Sequence, residues 1–124
     1  MRLRSVLVGS AFFAALLPLV VAHAAPGRVE DGKALAREAC AACHQVTPEQ
    51  QPPRPVYNPD EGNAVRAPSF VAIARDPTRT DDYLRAIITR PHYPMREQMI
   101  DNEDLEALVA YIGSLRPAAA RARR

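Results

Sequence analysis

Apolar positions fall along the chain first as one unbroken block and then as short stripes. The block runs from Val6 to Val21 behind Arg2 and Arg4, and ends in the small-x-small sequence Ala22-His23-Ala24. A basic start, an apolar middle and a small-residue site predict a secretory signal peptide over residues 1–24. The block is short for a membrane span and carries Pro18 near its end, so no membrane span is expected in the mature chain, residues 25–124.

The stripes that follow have helical spacing. Gly32, Leu35, Ala36 and Ala39 recur at i, i+3, i+4 and i+7, predicting a helix over Val29–Ala39 with Lys33, Arg37 and Glu38 on its outer side. Gly32 is a poor helix former, which points to a close approach by another helix. Residues 45–66 lack an apolar period. Pro48, Pro52, Pro53, Pro55 and Pro59, with Asn58, Asp60, Gly62 and Asn63, predict a long irregular loop.

Pro68 reads as the first turn of a short helix through Phe70, Val71 and Ile73 that ends before Pro77. Thr80 is expected to cap a helix carrying Tyr83, Leu84, Ile87 and Ile88, which Pro91 stops. Asp101 or Asn102 should cap the last helix, striped by Leu105, Leu108, Val109, Ile112 and Leu115, with Tyr111 beside the stripe. The Ala/Arg tail from Ala118 shows no stripe and is expected to fray. These elements make one all-α domain with a limited core.

Charge narrows the range of partners. The 124-residue chain has a net charge of +2, and loss of Arg2 and Arg4 with the signal leaves 14 basic against 14 acidic residues. Neutrality removes the electrostatic basis for nucleic-acid binding.

Both cysteines of the chain lie in Cys40-Ala41-Ala42-Cys43-His44. On a helix end, Cys40 and Cys43 stand one turn apart, where two thiols can reach the two vinyl groups of one porphyrin while His44 approaches the iron. A redox dithiol would follow a β-strand in a βαβ pattern, and a structural zinc site needs four Cys or His ligands. The mature chain offers only these three and His92. One haem c, attached through two thioethers, is therefore expected, and it would enlarge the core. Candidates for the sixth iron position are Met95, Met99 and His92. Met95 stands on the stiff segment Arg90-Pro91-His92-Tyr93-Pro94, while Met99 reads as core filler before the last helix.

From about Val29 to Leu115 the chain resembles the class I cytochrome c family. Gly32 and Ala36 occupy the positions of a small and a usually aromatic residue on that family's first helix, and Leu108-Val109-Ala110-Tyr111 matches its aliphatic-x-x-aromatic signature on the last. The resemblance implies a small helical domain wrapped around one covalently attached haem, with these two helices crossing beside it. It also implies that the Pro68 carbonyl accepts a hydrogen bond from His44, and that Met95, in His92-Tyr93-Pro94-Met95, is the second axial ligand.

An iron with both axial positions filled suits single-electron transfer and excludes substrate. The expectation is a periplasmic carrier and not an enzyme, a monomer or a subunit of a redox complex. It would serve a donor dehydrogenase or quinol oxidoreductase and a terminal acceptor. The alternatives are a dedicated haem c subunit of a dehydrogenase or oxidase complex, and a five-coordinate peroxidase or gas-sensing protein using His92 with Arg90 or Arg96. Tyr57, Tyr93 and Arg66 are candidate propionate donors.

Overall fold

The computed structural model describes residues 26–90, 95 and 99–121. The expected signal peptide, 1–24, lies outside them. The chain enters α1, Pro26–Leu35, and passes without a break into one π-helical turn, Ala36–Cys40. The expected helix is present, but its last turn is wider than an α-turn. The wider turn shifts the phase of the stripe. Ala36 is fully buried, Ala39 is exposed, and half-buried Cys40 packs against the core where Ala39 was expected.

A short hairpin corrects the expectation of a purely irregular loop and of a strictly all-α fold. Strands β1, Val56–Asn58, and β2, Asn63–Val65, pair antiparallel with Val56 opposite Val65 and Asn58 opposite Asn63. The predicted turn residues make its tip. The Asn58 side chain accepts the Asp60 N–H at 3.0 Å, and Gly62 supplies the positive φ of 64° that a side chain would resist.

Three helices follow, each started by an oxygen-bearing cap. Helix α2, Phe70–Arg75, is capped by Ser69, whose hydroxyl accepts the Ala72 N–H at 3.1 Å. Pro68 therefore precedes the cap and does not lie in the first turn. Thr80 caps α3, Asp81–Ile88, and Asp101 caps α4, Asn102–Ser114. Substituting such a cap by Ala costs about 1 kcal/mol. Pro117 opens a brief exposed turn, α5, Ala118–Arg121, where an unstructured tail was expected. Met99, expected in the core, is fully exposed.

The core joins Ala36, Val46, Phe70, Ala74 and Leu84 to the α4 stripe, with Tyr111 inside it. Helix α1 crosses α4 at Gly32. A Cβ built there would sit 1.9 Å from the carbonyl oxygen of Ala107, so the two backbones touch with nothing between them. Helix α3 is tied to α4 by ions. Arg85 binds Glu106 through two bonds of 2.6 and 2.9 Å, and buried Arg116 reaches Asp81 at 2.7 Å and the Arg79 carbonyl at 3.0 Å. No helix among the described residues is long and apolar enough to cross a membrane.

Replacing Gly32 by Ala should destabilise the protein by about 2 kcal/mol, because overpacking exceeds the helix-propensity gain of roughly 1 kcal/mol. Denaturant unfolding that shows the variant as stable as the parent would refute the tight crossing. The Arg85 guanidinium, through its hydrogen bonds, holds the Glu106 carboxyl below the usual carboxylate range. A depressed folded-state value contributes stability above the unfolded-state value of about 4.3, which is lost as pH falls through the folded value. Glu106→Gln should therefore lower stability at pH 7 by about 0.5–1 kcal/mol, the range of a partly exposed pair. It should also flatten the decline below about pH 4.3; an acid limb as steep as the parent's would count against the pair.

Candidate functional site

The π-helical turn delivers Cys40 to a tight reversal. The Cys40 carbonyl accepts the N–H groups of Cys43 at 3.2 Å and His44 at 2.9 Å, so the motif coils around one oxygen. Both cysteines are free and half-buried. Burial, and then the neighbouring Cys43, push the Cys40 thiol up to about 11. At neutral pH it is a protonated, soft, poorly hydrated sulfur.

His44 is oriented from α2. Its Nδ1 lies 2.8 Å from the carbonyl oxygen of Pro68. A carbonyl can only accept, so Nδ1 carries the proton and the lone pair of the neutral ring resides on Nε2. The Phe70 N–H donates to the Gln45 carbonyl at 3.0 Å, which anchors the start of α2 beside the motif. Phe70 meets the His44 ring at 5.5 Å between centroids, tilted by 55°, and Tyr111 stands 6.3 Å beyond it. The buried Tyr111 hydroxyl donates to the Val46 carbonyl at 2.7 Å, and desolvation raises its pKa above the ordinary phenol range. The residues after the motif are thereby fastened to α4.

Gln50 is the residue that pattern reading did not single out. Its carboxamide nitrogen donates to the carbonyls of Ala41 and His44, each at 3.1 Å, and its oxygen accepts the Val46 N–H at 2.9 Å. Nothing distinguishes it in Glu49-Gln50-Gln51, since polar side chains are common in Pro-rich loops.

Met95 is half-buried in a single β-bridge. His92, Tyr93, Pro94 and Arg96 lie outside the described residues. Tyr57 is 62% exposed on β1, and the Arg66 guanidinium donates to the Pro53 carbonyl.

These groups fit haem better than a bare ion. Two thiols one turn apart, an imidazole with Nε2 available, and an aromatic wall suit a large apolar ring with a central metal. Among the described residues no three His, Cys, Asp or Glu side chains converge to cage an ion. The family model for cytochrome c matches residues 29–116. The chain belongs to the cytochrome c family.

Its likeness extends to cytochrome c-552 of Bradyrhizobium diazoefficiens, 33% identical over 89 residues, which are 69% of this chain and 73% of the relative. No solved structure gives a significant match. Membership in the class I cytochromes c makes the protein an electron-transfer haem protein. Its cofactor is covalently bound haem c, and Cys40 and Cys43 have the spacing that such attachment requires. Redox proteins are accordingly its partners.

Removing the Tyr111 hydroxyl leaves the Val46 carbonyl without that donor in the core. Tyr111→Phe should cost about 1–3 kcal/mol of holoprotein stability in denaturant unfolding; a neutral substitution would show that the bond holds nothing in place.

Proposed function

We propose that this cytochrome is a periplasmic single-electron carrier whose haem iron is held by His44 and Met95. The observation that carries the proposal is the hydrogen bond from His44 Nδ1 to Pro68, which fixes the ring and leaves Nε2 available to a metal. Residues 1–24 direct export and are removed, so that residues 25–124 take up haem through Cys40 and Cys43 outside the cytoplasm.

Haem supplies the one-electron couple, and the chain sets its conditions. The Pro68 carbonyl raises the basicity of His44 and prevents its rotation. The Met95 thioether, a soft donor, would favour the reduced metal and keep exogenous ligands from it. Phe70 packs against the His44 ring with Tyr111 behind it, which lowers the dielectric on that side. Nδ1 keeps its proton, donated to the Pro68 carbonyl, so His44 would have no proton to release with the electron.

The donor is a dehydrogenase or quinol oxidoreductase and the recipient a terminal acceptor, met through small transient interfaces. A neutral mature chain makes such encounters only weakly salt-dependent.

Met95→Ala should abolish the thioether-to-iron absorption, lower the reduction potential by on the order of 0.1 V or more, and open the reduced protein to carbon monoxide. Met99→Ala should leave all three unchanged. Loss of the absorption in the Met99 variant alone would overturn the ligand assignment. Rapid carbon monoxide binding by the unsubstituted protein would favour a five-coordinate enzyme or sensor.

A further inference from the structure

The hold on His44 has two parts, and only one concerns its ring. Pro68 fixes the imidazole; the backbone that bears it is held by Gln50. One carboxamide makes three bonds at once, donating to the carbonyls of Ala41 and His44 and accepting from Val46 N–H. The Gln50 backbone carbonyl in turn accepts from the Gln45 side chain at 2.8 Å, and its N–H donates to the Thr47 carbonyl at 3.2 Å. The segment 45–50 is therefore a closed loop folded back under the motif.

The two carbonyls that Gln50 engages belong to the second and the last residue of Cys40-Ala41-Ala42-Cys43-His44. Ala41 caps the helix end and His44 lies beyond it, so neither carbonyl has an intrahelical partner. A single planar amide spanning them sets the rotation of the turn about its own axis, because moving either carbonyl breaks a bond. The Val46 anchor then ties this setting to α4, since the Val46 carbonyl is the acceptor of Tyr111.

We infer that Gln50 is a positioning residue, whose carboxamide fixes the backbone of the attachment turn and with it the plane of the His44 ring. The inference rests on the reading of His44 as an iron ligand. It assigns a task to a residue of the Pro-rich loop whose type is needed for a chemical reason. Only a primary amide of this length offers two donors and an acceptor together.

The test uses exported holoprotein with Gln50→Glu and Gln50→Leu. Glu keeps the acceptor for Val46 but loses both donors and places a carboxylate against two carbonyl oxygens; Leu loses all three bonds. The readouts are amide hydrogen exchange at Val46 and the haem-methyl hyperfine shifts of the oxidised protein, which report the orientation of the axial ring. In the Leu variant, Val46 exchange should quicken about tenfold and the methyl shifts should spread or double. The Glu variant should show the altered shifts with Val46 still protected. Unaltered methyl shifts in both variants would overturn the inference, whatever happens to Val46. Unaltered Val46 exchange in the Leu variant would do the same. Failure of the ligand reading itself shows separately, as loss of normal His-type low-spin signals in the unsubstituted protein. Should the Leu variant not accumulate, the Glu variant alone decides, through its methyl shifts.

Discussion

The contact of α1 with α4 at Gly32 is the constraint from which the rest of the molecule is set out. With no side chain on one surface, the helix backbones approach until the position of a Cβ would overlap the Ala107 carbonyl. Neither helix can slide without losing that fit, because a side chain on either side of Gly32 would strike the partner. Each helix then carries one part of the site away from the crossing. Helix α1 runs on through its wide turn to Cys40, and α4 runs on to Tyr111. Their separation is fixed by geometry close to the axis, which is far stiffer than a contact made through long side chains.

Around this frame, the polar groups near the site are few and fully engaged. No buried side-chain nitrogen or oxygen among the described residues lacks a partner. In an apolar pocket an unpaired amide or hydroxyl would be costly, so each bond there has a sharply preferred arrangement. The carbonyls of Pro68, Val46, Ala41 and His44 each find a side-chain donor. Rigidity at a redox centre follows from this saturation more than from the strength of any one bond. Charged ties are placed elsewhere, at Arg85 with Glu106 and at Arg116 with Asp81, where they join α3 to α4.

Most of the helical frame was legible because its signals are local. Thr80 and Asp101 announce helix starts through side-chain oxygens, and the Leu105 to Leu115 stripe announces a buried face. Gly32 advertised a close approach by being a poor choice for a helix. The features that were not legible arise from long-range or subtle backbone geometry. A π-helical turn differs from an α-turn by one residue, which the spacing of Ala36, Ala39 and Cys40 cannot resolve. The hairpin pairs only three residues per strand, too few for an alternating pattern to emerge among prolines. Met99 misled because methionine before an amphipathic helix is ordinarily core, whereas here it is exposed. At the site, the spacing of Cys40, Cys43 and His44 carried the chemistry. The part played by Gln50 depends on a backbone reversal that no residue type announces.

The bond between Tyr111 and Val46 joins positions 65 residues apart in the chain. A polypeptide emerges N-terminus first, so the two cysteines appear long before the helix that will close over the residues following them. During that interval Cys40 lacks its packing against the core, since that core is built from helices still to come. The order in which the chain becomes available thus gives the thiols a period of fuller openness than the half-buried state of the finished protein. Closure by α4 acts as the last stitch, turning a solvent-facing segment into a partly covered one only when almost the whole sequence is present.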